Sequence, residues 1–329
     1  MRILVTGGAG YIGSNLVDAL LSMGHAVTVL DNLSTGSIAN IQHLLGHERF
    51  RFVNDSILNE ELVDRLVREV DQVFHLAAIA GVKYVVDDPL HGIHTNITGT
   101  EIVLNQARRH WKRIVIASSS EVYGKNPNLP WSEEDDCVVG PTSVSRWSYA
   151  LSKSIDEHCA LAHARDGLPV SIVRYFNSYG PRIAPNGYGS VVARFINQAT
   201  SGQPITVHGD GCQSRCFTYI DDTVRGTILA GTVPEAAGQV FNVGADRETT
   251  INDLAKLIRD LVGSDSEIVG IPYERAYGKR FEDTRRRVPD ISRAVEVLGF
   301  RAETSLEDGL QATIAWFRDA WPRHASESM

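Results

Sequence analysis

Apolar residues run along the first half of the chain in two alternating rhythms. Short runs rich in β-branched residues, RILVT, AVTVLD, RFVN, QVFHLAA, RIVIASSS and VSIVRYF, read as buried strands. Between them NLVDALLSMG, EELVDRLVREV, HTNITGTEIVLNQARRH and SYALSKSIDEHCALAHARDG repeat at the helical period. Strands alternating with helices predict βαβ units and a parallel sheet covered on both faces. The expected fold class is therefore α/β, with a Rossmann-type doubly wound sheet. After about Gly180 the rhythm changes. NGYGSVVARFINQATSG predicts a helix ending at Gly202, and PITVHGDG a short strand with a turn. TINDLAKLIRDLVG and SLEDGLQATIAWFRDA predict amphipathic helices with Asn252 and Ser305 as N-caps. HASESM reads as a frayed tail. The expected organisation is a first domain over residues 1–180 and a smaller mixed lobe over residues 181–329, with some crossing of the chain between them.

The first strand ends in VTGGAGYIG and runs straight into a helix. Gly7, Gly10 and Gly13 form G-x-x-G-x-x-G. Gly7 permits a tight turn, Gly10 lets backbone approach a pyrophosphate, and Gly13 lets the helix pack close. Tyr11 and Ile12 lie in the same loop. The helix N-terminus then faces the phosphate charge. The second strand ends at Asp31, where a carboxylate would bind an adenosine ribose diol and repel a 2′-phosphate. The cofactor expected is NAD rather than NADP. Asn32, Ser34, Thr35 and Gly36 follow in DNLSTG. Asp55 and Ser56 end the third strand beside the adenine, and Leu76, Ala77 and Ala78 leave room at the end of the fourth. Asn96 is a further candidate for the cofactor. His75 reads as a buried structural histidine.

Composition narrows the function by exclusion. The 329 residues are 43% hydrophobic and 22% charged, which suits a globular domain with a sizeable core. A net charge of −8 leaves no nucleic-acid footprint. No run approaches the roughly 20 apolar residues of a membrane span, and the N-terminal apolar run is too short for a signal peptide. The four cysteines fit a reducing cytoplasm as free thiols. Cys212 and Cys216 have no second Cys/His pair to complete a site, so no metal is expected.

SRWSYALSK places Tyr149 and Lys153 one helical turn apart, on one face. A protonated Lys153 favours the phenolate, which predicts a lowered Tyr149 pKa and a usable general base.

The ordered set VTGGAGYIG, DNLSTG, HLAA, SSSEVYG, YALSK, RYFNSYGPR and GDGCQSRCFTYIDD resembles the extended short-chain dehydrogenase/reductase superfamily. Within it the likeness is to nucleotide-sugar epimerases, dehydratases and decarboxylases, and it covers most of the chain. The resemblance implies that Tyr149 takes the proton of the sugar 4-hydroxyl while hydride passes from C4 to NAD. Lys153 would hold the nicotinamide ribose. Ser119, or its neighbour Ser120, would hydrogen-bond the same hydroxyl. Asn177 in RYFN and Arg215 in CQSRCF resemble the contacts to the sugar diphosphate. Two helices, around GTEIVLNQARRH and ALSKSIDEHCALAHA, are the expected homodimer interface by analogy.

Three residues bear on the reaction. Glu121 resembles the Glu of dehydratases and decarboxylases, where 4-epimerases carry a small or hydroxyl residue. Ser120 replaces the Asp that precedes this Glu in dTDP-glucose dehydratases, which argues against dehydration. VVGPTSVSRWSYALSK and AYGKRFEDTRRRVPDIS resemble UDP-glucuronate decarboxylases, and by that likeness Arg287 would act near the substrate carboxylate. Contact with the diphosphate, or capping of the next helix, is the plainer role for Arg287. The expected substrate is a UDP-sugar, and the expected activity is decarboxylation of UDP-glucuronate to UDP-xylose or a UDP-4-keto-pentose. A UDP-hexose or UDP-hexuronate 4-epimerase is the alternative, and a catalytically silent NAD-binding protein the remote one.

Overall fold

The computed structural model describes residues 1–81, 87–184, 190–277 and 282–319. The first half follows the two rhythms of the sequence. β1 (Arg2–Thr6) is followed by α1 (Tyr11–Ser22), β2 (Ala26–Asp31), β3 (Phe50–Asn54), α2 (Glu60–Glu69) and β4 (Gln72–His75). Then come α3 (Pro89–Arg109), β5 (Arg113–Ser119), α4 (Trp147–Arg165) and β6 (Val170–Tyr175). α3 starts earlier than its apolar pattern predicts. Asp88 caps it by accepting from the His91 N–H, and Pro89 sits at its first position.

The second half holds β7 (Ser178–Tyr179), α5 (Val191–Thr200), β8 (Ile205–His208), β9 (Ser214–Cys216), β10 (Thr218–Tyr219), α6 (Ile220–Thr232) and β11 (Gln239–Val243). It continues with β12 (Glu248–Thr250), α7 (Ile251–Val262), β13 (Ile268–Ile271), α8 (Tyr273–Tyr277), β14 (Arg286–Arg287), α9 (Ser292–Leu298) and α10 (Leu306–Asp319).

The main sheet has seven strands in the order β3-β2-β1-β4-β5-β6-β11, all parallel. Its strands read as continuous apolar runs because both faces are covered. In β1, Ile3 and Val5 join a core with Leu16 and Leu20 of α1, Val224 of α6 and Leu298 of α9. Leu4, pointing the other way, joins Val63 and Leu66 of α2, Val103 of α3 and Ala160 of α4. The edge strand β11 and the covering helix α6 come from beyond residue 180, so the second half of the chain completes the first sheet.

A separate core holds Phe195 of α5, Leu254 and Ile258 of α7, Val207 of β8, and Ile314 and Phe317 of α10. Beside it β9 lies between β12 and β14, with Arg215 opposite Arg287 in register. Ser305 caps α10 by accepting from the Asp308 N–H at 3.1 Å. Asn252 is not the N-cap of α7. Thr250 is, because it ends β12 in an extended conformation and accepts from the Asp253 N–H at 3.1 Å. Asn252 already lies in the first turn and donates to the Asp210 carbonyl. The HASESM tail and the NGYG stretch lie outside the described residues, as does GKRF after α8.

Candidate active site

The glycine loop is shaped by contacts that admit no side chain. Gly7 has φ +71°, and a Cβ there would lie 2.6 Å from the Ala77 nitrogen. A Cβ on Gly13 would lie 2.1 Å from the Gly7 carbonyl oxygen, so α1 enters as close to the loop as backbone allows. No side chain caps the N-terminus of α1. Such a terminus suits an anion.

Above this loop opens a cavity of about 400 Å³. Gly7, Gly10, Tyr11, Ile12 and Gly13 line it from the first turn, and Asp31, Asn32, Ser34 and Thr35 from the end of β2. Asp55 and Ser56 follow β3, Leu76, Ala77 and Ala78 follow β4, and Tyr149 and Lys153 close the far end. Gly36 and Asn96 stand behind that lining. A Cβ on Gly36 would meet the Ala9 backbone at 2.9 Å. The Asn96 amide accepts from the Ile79 N–H at 2.7 Å and donates to the Ile79 carbonyl and the Ser152 hydroxyl, so it braces the wall from outside. The Asp31 carboxylate accepts from the Ala9 and Leu33 N–H groups at 2.9 and 2.8 Å. Burial raises its pKa, and those two donors oppose the rise. A glycine backbone for pyrophosphate and a carboxylate for a ribose diol fit a dinucleotide. His75 is buried between Thr6 and Thr100, and burial, then Lys153, push it down to about 3, so it stays neutral.

A second cavity of about 320 Å³ adjoins the first. It is lined by Ser119, Glu121, Asn177, Arg215 and Arg287, and Tyr149 lines both cavities. The predicted chemistry is thereby brought to one junction. Ser119 hydrogen-bonds Tyr149, and its hydroxyl also accepts from the Glu121 N–H at 3.2 Å. Ser120 is buried in the turn and is absent from this junction. Lys153 donates to Asp156 at 3.0 Å, with both side chains buried.

The lowered Tyr149 pKa expected from its spacing to Lys153 is corrected by the structure. Burial raises it, Lys153 lowers it less, and the Glu121 charge raises it further. The Lys153 charge is shared with Asp156. Burial works against the ammonium, but Asp156 and Tyr149 hold it protonated, above its ordinary range. Burial and the Glu121 charge thus favour the phenol of Tyr149, against the pull of Lys153 toward the phenolate.

The second cavity holds ions that the sequence reading passed over. Arg146 donates to both Glu121 oxygens, at 3.3 and 3.2 Å, to Asp283 at 3.1 Å, and to the Glu282 carbonyl. Arg287 meets Glu121 at 2.6 Å. Burial would raise the Glu121 carboxyl, yet Arg287 and Arg146 pull it down to about 2. Arg215 Nη2 donates to both Asp283 carboxylate oxygens, each at 3.0 Å, and Asp283 accepts a further bond from the Tyr273 hydroxyl at 3.1 Å. Burial, then Arg287, lower Arg215 to about 10, with Asp283 opposing. Asn177 takes φ 38° and donates to the Cys216 carbonyl. Beneath the site, Arg174 grips Glu157 at 2.9 and 2.6 Å, and Ser118 donates to the same carboxylate, which locks the end of β5 to α4. Arg146 carried a signal, since it stands three residues before Tyr149 on the same helical approach. Asp283 carried none. Among the described residues, no group of three His, Cys, Asp or Glu could hold a metal ion.

Comparison with known proteins gives this geometry a lineage. The chain matches the family described as GDP-mannose 4,6 dehydratase over residues 4–313. A UDP-N-acetyl-alpha-D-glucosaminuronate decarboxylase of Bacillus cytotoxicus is 43% identical, over 97% of this chain and 98% of the relative. UDP-glucuronic acid decarboxylase 1 of Xenopus tropicalis is 39% identical, over 96% of this chain and 72% of the relative. The crystal structure of UDP-glucuronic acid 4-epimerase from Bacillus cereus, in complex with UDP-glucuronic acid and NAD, has a TM-score of 0.85 at 32% identity, covering 97% of this chain and 99% of that one. The chain therefore belongs to the GDP-mannose 4,6 dehydratase family, and is an extended short-chain dehydrogenase/reductase of the nucleotide-sugar epimerase and dehydratase kind.

Proposed function

We propose that this protein is an NAD-dependent UDP-glucuronate decarboxylase working through transient oxidation at sugar C4. The observation that carries the reading is the charge set beside Tyr149. Arg146, Arg215 and Arg287 pair with Glu121 and Asp283, so among these described ion pairs three guanidiniums meet two carboxylates beside the cavity where a sugar would lie. That excess suits a substrate with an anionic C6 in addition to its diphosphate. The names of the decarboxylase relatives support the same choice.

NAD, when bound, supplies the hydride acceptor and donor at C4. Its pyrophosphate would lie on the Gly7–Gly13 loop and its adenosine ribose on Asp31. Tyr149 would take the proton of the 4-hydroxyl, with Ser119 orienting that oxygen and Lys153 keeping the charge positive. The C6 carboxylate, β to the resulting ketone, leaves as carbon dioxide. Arg287 would hold that carboxylate and stabilise the enolate that remains. Arg215 and Asn177 would take the diphosphate.

Residues 1–180 would form the NAD domain and residues 181–329 the sugar lobe, with α6 and β11 returning to the first sheet. The assembly proposed is a homodimer through α3 and α4, whose Leu90, Ile93, Leu151 and Ile155 are exposed apolar side chains. No helix among the described residues is long and apolar enough to cross a membrane. Free Cys137, Cys159, Cys212 and Cys216 support a reducing compartment, the cytoplasm.

The test is product analysis after incubation with UDP-glucuronate, UDP-N-acetylglucosaminuronate and UDP-glucose. A nucleotide product lighter by carbon dioxide is expected from a uronate. A product of unchanged mass and inverted C4 would replace this reading with the 4-epimerase.

A further inference from the structure

We propose that Arg146 is a positioning residue: together with Arg287 it clamps the Glu121 carboxylate so that Glu121 orients the sugar without taking a proton from it. The inference rests on the decarboxylase reading for its substrate. A 4-keto uronate is acidic at C5, which lies between the ketone and the carboxylate. A free carboxylate near C5 would act as a base there. The proton would pass to Glu121, the electron pair would enter a C4–C5 enolate, and reprotonation from solvent would scramble or invert C5. A decarboxylase gains nothing from this step, because loss of carbon dioxide generates the same kind of enolate without removing a proton.

Glu121 is placed for that unwanted chemistry, since it lines the sugar cavity with Tyr149, the residue that works at C4. The clamp closes it off. Arg146 approaches both carboxylate oxygens, at 3.3 and 3.2 Å, and Arg287 takes Oε1 at 2.6 Å. Arg146 is in turn fixed from the far side by Asp283 at 3.1 Å and by the Glu282 carbonyl, and its guanidinium lies over the Trp147 ring. Trp147 is itself anchored, donating to Glu282 at 3.2 Å. The guanidinium is buried, which makes its charge effective at short range. A planar fork that spans two acids cannot be replaced by an ammonium without losing one of them.

The experiment uses the NAD-loaded enzyme in deuterium oxide, with UDP-glucuronate partly consumed. Unreacted substrate is recovered and its C5 deuterium measured by mass spectrometry, alongside carbon dioxide release. The parent protein should return unlabelled substrate. Arg146→Gln should return substrate labelled at C5, with kcat for carbon dioxide release lowered on the order of tenfold. Arg146→Lys should fall between the two. A lowered kcat with unlabelled substrate in Arg146→Gln would make Arg146 a structural brace and overturn the proposal. Loss of bound NAD in both variants would overturn it as well. Failure of the decarboxylase reading shows separately, as absence of carbon dioxide from the parent protein.

Discussion

The cavity above the glycine loop takes its lining from strand ends spaced along one unbroken βα rhythm, whereas the cavity around Glu121 gathers its charges from distant stretches of chain. In the first, Gly7, Asp31, Asp55 and Ala77 each lie at or just beyond the end of a strand of the same sheet. Their work is done by backbone geometry and single side chains. In the second, Glu121, Arg146, Arg215, Asp283 and Arg287 are ordered by ion pairs across as many as 166 residues of sequence, from Glu121 to Arg287. On the function proposed above, dinucleotide recognition would be a local property of the fold, and sugar chemistry a property of a network. Removing a network member disturbs its partners, whereas removing a loop contact stays local.

The largest effect expected lies where the cavities meet. Tyr149→Phe keeps the ring and removes only the oxygen shared by both sides. Turnover should fall by roughly a hundredfold or more, with NAD still bound, as read by steady-state rates and cofactor content. Near-parental activity would mean that the junction has another base.

Next comes the network itself. Glu121 neutralises two buried guanidiniums, so Glu121→Gln should cost about 3 kcal/mol in urea unfolding at neutral pH. The pH dependence has a definite sign. The folded carboxyl is held down at about 2, below its ordinary range, by Arg287 and Arg146 against burial. Its stabilisation is present above the unfolded carboxyl pKa and is lost as pH falls toward about 2. The gap between the parent and Glu121→Gln should shrink across that acid window. A gap that holds constant with pH would show that the cost is one of packing.

The same contrast explains what could be read from residues alone. The strand–glycine–helix run, the acid at the end of β2 and the Tyr-x-x-x-Lys pair have mechanical reasons to stand at fixed spacing, so their places were legible. Six strands of the parallel sheet were equally legible in the apolar rhythm, whereas the seventh, β11, comes from far along the chain and stands outside that rhythm. What spacing could not show was burial. Lys153 one turn from Tyr149 predicts a lowered phenol, but the depth of the site and the neighbouring Asp156 and Glu121 charges reverse it. Asp283 could not be found because its meaning lies in Arg146 and Arg215, which only the folded chain brings to it. Thr250 was missed for a smaller reason: Asn252 is an equally good capping residue, and only the end of β12 decides between them.

A milder test addresses the local cavity. Asp31→Asn removes the charge that accepts from the Ala9 and Leu33 N–H groups, where the ribose diol would bind. NAD affinity should weaken about tenfold and the discrimination against NADP should narrow. The Glu121 network should be untouched, so UDP binding measured by calorimetry should not change. A matching loss of UDP affinity would break the claim that the two cavities are independently built.

The smallest effect marks the boundary of the network. Thr250 ends β12, which pairs with β9 and so lies one strand from Arg215. If proximity in the sheet were enough to couple a residue to the sugar site, Thr250→Ala would alter kinetics. If only the ion pairs carry coupling, it should not. The substitution removes the hydroxyl that accepts from the Asp253 N–H and donates to the Asp253 carboxylate at 2.6 Å. A lost N-cap of this kind costs about 1 kcal/mol. The backbone pairing of Thr250 with Ser214 survives, because it does not use the side chain. The expected result is a slightly lower melting temperature with kcat and KM unchanged. A shift in KM alone would extend the network to α7, through β9 and the position of Arg215.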